Sequence, residues 1–436
     1  MSATCDVSTC VTRPMLGLLL LATACTAGAN PNISTLIRLA QHPMAVCLDG
    51  KPAGYYLRRG TTPEGRRRTY IHHEGGGWCQ LQTPLEVWPN DNCEARASTY
   101  LGSLEGDNAT KAWNATIGCA GCSPDPAVNP LMASWNAVYI RYCDGGTMSG
   151  RVVDPVRAAN GTELYFRGAF ILRAVVDSLA LELGADFTLG TDFVIGGSSA
   201  GGLAVYLHLD WWRRQLPTAA TVAGLADSGF FLDWQRNTTS AHSYDSDLRW
   251  GFQAMNYSGG VAACVAAKRA KGAPPSDCAF AGHALPFVRT PVFILQSVYD
   301  SWQLQWEHGE HKAPHDFAAL NAYGARLSSA IKTAVRLNEQ AGGTVGGFVE
   351  RCYHHCTTTM LWTTRPAIAG ITPQEAFGRW YRGLAAGGGG GAPDNSSGSV
   401  LWQETGSLPC KQCGCPAGMV GPGGVSGELS PITKKA

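Results

Sequence analysis

Apolar residues in this chain cluster in short unbroken runs, separated by longer stretches of helical period. Thr69-Tyr70-Ile71-His72-His73 contains no turn former and reads as a buried strand running into Gly75-Gly76-Gly77. Ala137 to Tyr142 has the same character and stops at Cys143-Asp144-Gly145-Gly146. Phe166 to Leu183 predicts a helix, Phe193-Val194-Ile195 a strand, and Leu203 to Trp212 an amphipathic helix. Ala220 to Leu225 and Pro291 to Gln296 are further strand candidates, and Pro373 to Arg382 predicts a late helix with Phe377 and Trp380 on one face. Strands alternating with helices imply an α/β fold, with a mainly parallel sheet covered on both sides. From about Pro43 to Phe377 no linker and no internal repeat breaks this pattern.

Composition narrows the picture. With 436 residues, 45% hydrophobic and 15% charged, the chain can bury a large core. Its length would allow about three domains of ~150 residues, but α/β enzymes often exceed that size as one unit, so residues 30–416 are expected to form a single domain. A net charge of +1 provides no field for nucleic acid, and none is expected as a partner. The basic run Arg66-Arg67-Arg68 reads as a solvated loop, with contact to a polyanionic substrate as the lesser reading.

The first residues read as a leader. Arg13 precedes the apolar run Met15 to Ala22, and small residues continue to Ala29, so residues 1–29 are expected to be a secretory signal peptide. That run is short for a bilayer span, and no later stretch reaches about 18 apolar residues, so no stable membrane insertion is expected. The expected location is secreted, extracellular or in the cell wall. Of 16 cysteines, Cys5, Cys10 and Cys25 would leave with the leader; the 13 that stay are an odd number, implying one free or intermolecular thiol. Cys119-x-x-Cys122 and Cys410-x-x-Cys413 resemble zinc half-sites, but an oxidising compartment favours disulfides. Sequons at Asn32, Asn108, Asn114, Asn160, Asn237, Asn256 and Asn395 fit a glycosylated surface. Gly387 to Gly391 reads as a flexible loop, Cys410, Cys413 and Cys415 as an anchor for the terminal segment, and residues 417–436 as a flexible tail.

The chemistry centres on Gly197-Ser198-Ser199-Ala200-Gly201, a G-x-S-x-G match between a strand and a helix. A serine on such a turn stands exposed above a helix N-terminus, as in α/β-hydrolases. Its hydroxyl needs a base, normally a histidine oriented by a carboxylate, in the chain order serine, acid, histidine. Asp300 follows an apolar strand and fits the acid, a helix-capping role being the alternative. Among the histidines beyond it, His308, His311 and His315 lie in a polar stretch where a metal site lacks a closing ligand, while His354 and His355 sit between Cys352 and Cys356. Residue chemistry alone leaves the choice of base open. The amide of Ala200 is one expected oxyanion donor, and the loop His73-Glu74-Gly75-Gly76-Gly77-Trp78-Cys79 is placed to supply another.

Together these motifs resemble the pectin acetylesterase/Notum family of serine carboxylesterases. The resemblance spans most of the chain after the leader, including Cys47-Leu48-Asp49-Gly50, Glu74 to Cys79, Tyr142-Cys143-Asp144-Gly145, Ser199 to Ala204, Leu225 to Asp233, Tyr299 to Gln303 and Cys352 to Cys356. It implies Ser199 as nucleophile, Asp300 as orienting acid and His355 as base. It also implies oxyanion donors at Gly76, Gly77 and Ala200, with Trp78 and Asp227 touching substrate. Ser198 stands where plant members usually carry cysteine. The implied activity is hydrolysis of O-acetyl esters on a cell-wall polysaccharide of pectin type, by a monomer needing no metal and no cofactor. A Notum-like deacylase for a longer acyl group and an inactive carbohydrate-binding homologue are the alternatives.

Overall fold

In a computed structural model, the described residues are 30, 32–81, 91–113, 118–234, 244–257, 260–307, 317–359, 362–363, 367–385, 400–408 and 415. The expected leader, the sequons at Asn114, Asn237 and Asn395, His308, His311, His315, the Gly387 to Gly391 loop, Cys410, Cys413 and the tail all lie outside them.

The chain adds strands in the order β1 (Ile33–Arg38), β2 (Gly54–Arg58), β3 (Arg68–His73), β4 (Thr110–Ala112) and β5 (Asn136–Ile140). After the small hairpin of β6 (Val156–Arg157) and β7 (Glu163–Leu164) come β8 (Asp192–Ser198), β9 (Thr221–Asp227), β10 (Val292–Ser297), β11 (Val345–Glu350) and β12 (Val400–Gln403). All but the hairpin join one sheet, ordered β12-β11-β10-β9-β8-β3-β5-β2-β1-β4. Pairing is parallel from β12 through β5 and antiparallel across β2, β1 and β4. This is the mainly parallel sheet expected from the alternating pattern, in an α/β-hydrolase-like arrangement.

Both faces of the parallel part are buried, which is why its strands read as continuous apolar runs. Successive side chains enter opposite cores: Ile71, Phe193, Ile195, Val292 and Ile294 face one, Tyr70, Val194, Phe293 and Leu295 the other. The first core is completed by helices α1 (Gly168–Leu183), α2 (Ala200–Gln215) and α3 (Phe317–Gln340), the second by α4 (Pro373–Ala385). Phe377 and Trp380 of α4 both pack on Phe293, as the one-face pattern predicted.

Disulfides join Cys47 to Cys143, Cys79 to Cys93, Cys119 to Cys122, Cys264 to Cys278 and Cys352 to Cys415. Cys119-x-x-Cys122 is therefore a bridge, as the oxidising reading favoured, and Cys415 pins the terminal segment beside β11. No helix among the described residues is long and apolar enough to cross a membrane.

Candidate active site

The parallel strands deliver the expected residues to one edge of the sheet. Gly75 to Gly77 follow β3, Ser199 follows β8, Asp300 follows β10 and His355 follows β11, all at carboxyl ends, where ligands bind in open α/β sheets.

Ser199 caps α2 with φ 58° and ψ −126°, a strained conformation for a side-chain-bearing residue. Its neighbours are small because the turn is tight: a Cβ on Gly201 would lie 2.0 Å from the His73 carbonyl oxygen. The Ser199 amide donates to the Asp227 carbonyl oxygen at 2.9 Å, fastening the turn to the end of β9.

Asp300 is fully buried. Its Oδ1 accepts the amides of Trp302 and Gln303 at 3.1 and 3.0 Å, so the capping role and the acidic role coincide in one residue. Oδ2 accepts from Gln296 Nε2 at 3.1 Å and meets His355 Nδ1 at 2.8 Å. His355 Nε2 is buried and has no hydrogen-bond partner among the described residues. Burial works against a charged imidazole there; the Asp300 carboxylate, followed by the Cys356 sulfur, more than offsets it and pushes His355 well above its ordinary value.

Geometry separates the two adjacent histidines. His354 turns the other way, its Nε2 2.6 Å from Glu350 Oε1 within a fully buried pair. The remaining histidines near the site are neutral: burial lowers His72 to about 3, His73 to about 4 and His208 to about 3. His73 holds its strand end through Gly196 O at 2.8 Å and Trp212 Nε1 at 3.0 Å.

Asp227, expected to touch substrate, lies inside the fold. It is completely buried, accepting from Ser228 Oγ (3.2 Å), Thr357 N (3.0 Å), Thr358 N (2.8 Å) and Thr358 Oγ1 (2.5 Å). Its carbonyl holds the serine turn while its carboxylate holds the segment just after His355, so it ties the two loops together. Cys356 N adds a bond to Ser228 Oγ at 2.9 Å.

Trp78 is also buried, its ring 4.7 Å from Phe231 and 5.8 Å from Trp302. Trp302 and Phe231 in turn flank His355 at 6.0 and 6.3 Å, and Tyr244 packs 5.7 Å from Trp302. Trp78 thus belongs to an aromatic wall beside the histidine. Sequence reading missed most of that wall, and also Gln296, whose polar side chain at the end of an otherwise apolar strand was the available signal. Glu74 is structural: Oε2 accepts the Tyr142 amide at 2.8 Å and pairs with Arg141.

A mainly parallel sheet with a strained serine above a helix N-terminus, and a buried acid–histidine pair at the same edge tied to that turn through Asp227, is the arrangement of the α/β-hydrolase-like enzymes. Residues 27–386 match the model of the Pectinacetylesterase family. The chain is 34% identical to pectin acetylesterase 5 of Arabidopsis thaliana, covering 79% of each. It is 31% identical to the human palmitoleoyl-protein carboxylesterase NOTUM, covering 80% of this chain and 66% of the other. Among solved structures, the Drosophila Wnt deacylase Notum superposes with a TM-score of 0.66 at 23% identity, covering 84% of this chain and 97% of that one, which shows the fold. The chain therefore belongs to the pectin acetylesterase family and is a carboxylic ester hydrolase.

Proposed function

We propose that this protein is a secreted serine carboxylesterase that removes O-acetyl groups from a cell-wall polysaccharide of pectin type. Ser199 Oγ attacks the acetyl carbonyl while His355 Nε2 takes its proton, and Asp300 accepts from Nδ1 and steadies the imidazolium. The oxyanion settles against the amides of Gly76, Gly77 and Ala200, each such donor being worth roughly 3–4 kcal/mol. Collapse expels the sugar hydroxyl, which takes its proton from His355. Water, deprotonated by the same nitrogen, then releases acetate from Ser199. The carrying observation is the 2.8 Å Asp300–His355 contact, on a segment that Asp227 binds to the serine turn.

The choice of a small acyl group is supported by the packing of Trp78, Phe231, Tyr244 and Trp302 against one another beside His355. Rings that fill one another's space leave room for two carbons more readily than for a long chain. The five disulfides among the described residues support secretion. A chain-length series of aryl esters, run beside acetate release from acetylated pectin and xylan, tests this reading. Highest turnover on acetate with free acetate from pectin is expected. Turnover rising beyond medium chains with no acetate released points to the longer-acyl deacylase instead, and no hydrolysis at all points to a binding homologue.

A further inference from the structure

The loop after β3 carries three consecutive peptide carbonyls, and buried donors take all three. Arg96, at the end of the short helix Cys93–Arg96, is completely buried. It donates from Nη2 to Gly76 O at 2.8 Å, from Nη1 to Trp78 O at 3.4 Å and from Nε to Leu101 O at 3.3 Å. The carbonyl between them, Gly77 O, accepts the Tyr142 hydroxyl at 2.7 Å. That hydroxyl in turn accepts the Thr147 amide at 3.0 Å, and the Arg96 guanidinium lies over the Tyr142 ring, 5.2 Å from its centre. The Cys79–Cys93 disulfide fastens the end of the loop to the helix bearing Arg96.

The loop runs between two walls. A Cβ on Gly75 would lie 2.8 Å from Ser199 Cβ, whereas one on Gly76 would strike Leu101 Cδ2 at 2.5 Å and Tyr142 Cδ1 at 3.1 Å. A trans peptide is planar, so a carbonyl and the following N–H point in opposite directions. Drawing Gly76 O onto Arg96 therefore turns the Gly77 N–H, one of the proposed oxyanion donors, away from Arg96, and drawing Gly77 O onto Tyr142 does the same for the Trp78 N–H. Gly77 has φ 64°, which suits glycine and lets the chain make that reversal.

We propose that Arg96 and Tyr142 are positioning residues for the oxyanion loop, holding its peptide planes in the orientation that stabilises the tetrahedral intermediate. The inference rests on the acyl-enzyme reading of Ser199. Arginine suits the role because its rigid fork reaches several carbonyls at once, which a lysine ammonium does not reproduce. Preorganised amides cost no rearrangement when charge develops, so the benefit falls on the transition state and not on substrate binding.

Asp91, Asp144 and Asp247 are buried within the field of Arg96, so replacing it with a neutral residue risks the fold. The test therefore uses Tyr142→Phe, which keeps the ring, and Arg96→Lys, which keeps the charge. Each is assayed on an aryl acetate after a thermal melt verifies folding. The expected result is kcat lowered about 10- to 100-fold, a share of what losing an oxyanion donor costs. KM should stay within about twofold, the signature of an interaction made only in the transition state. Inhibition by an aryl boronic acid, whose serine adduct is tetrahedral and anionic, should weaken in step with kcat/KM. Folded variants that keep kcat and boronate affinity within about twofold of an active wild type overturn the positioning role alone. A folded wild type that hydrolyses no aryl ester overturns the underlying reading as well.

Discussion

The two sides of Ser199 are built from opposite materials. On the histidine side, buried carboxylates do the holding: Asp300 grips His355, Asp227 grips Thr357 and Thr358, and Glu350 grips His354. On the side of the proposed oxyanion donors, buried donors do it: Arg96 and Tyr142 bind the carbonyls of Gly76, Gly77 and Trp78. The chemistry accounts for the contrast. In the proposed mechanism a cation forms on one side and needs acceptors behind it, while an anion forms on the other and needs N–H groups held in place through their carbonyls. A hydrolase site is thus polarised before substrate arrives, at the expense of burying ionised groups.

The sharpest way to break this contrast is to remove the residue between the two sides. Ser199→Ala should lower kcat by about 10⁶-fold while the protein melts normally, read by ester hydrolysis and calorimetry. Asp300→Asn should cost about 10⁴-fold, as expected when the histidine loses its orienting acid. It should also move the pH profile. His355 must be neutral to accept a proton, and its raised value means that kcat/KM climbs with pH above the ordinary imidazole range. Without the Asp300 charge the largest cause of the rise is gone and that rising limb should shift to lower pH; an unmoved limb would argue against the pairing. The same pair stabilises the fold below about pH 6.5 and loses its contribution as pH rises through the raised value, so denaturant melts of Asp300→Asn should lack this dependence.

Smaller effects sharpen the comparison. Glu350→Gln removes one member of a fully buried pair and should cost about 3–5 kcal/mol in denaturant melts. Trp302→Ala, which opens the aromatic wall beside His355, should raise hexanoate over acetate preference about tenfold in kcat/KM. An unchanged ratio would show that the acyl group lies elsewhere.

Much of the fold was legible because the central strands are buried on both faces. Thr69 to His73, Ala137 to Tyr142, Ala220 to Leu225 and Pro291 to Gln296 all coincide with β3, β5, β9 and β10 to within a residue or two. β11 has no clear strand signature in the sequence, because Gly346 and Gly347 interrupt its apolar run. Its glycines answer to tertiary packing: a Cβ on Gly346 would strike Phe293 Cδ2 and Trp380 Cδ1 at 2.6 and 2.7 Å, and one on Gly347 would strike Leu401 Cδ2 at 2.5 Å. The antiparallel strands β1, β2 and β4 were missed too. In the site, the serine turn and the glycine loop announce themselves through local backbone demands. His354 and His355 are chemically identical neighbours, so residue chemistry left the base open; the family resemblance pointed to His355, and the directions of the two side chains give the physical distinction. Asp227 sits in a motif that reads as functional, yet its work is internal, joining two loops 130 residues apart.

The acyl-enzyme reading stands on Ser199, and a fluorophosphonate probe addresses it directly. Incubating the folded protein with the probe and mapping adducts by peptide mass should give one adduct per molecule, on Ser199, absent in Ser199→Ala and slowed in Asp300→Asn. Failure to label the wild type, or equal labelling of Ser199→Ala, would contradict it.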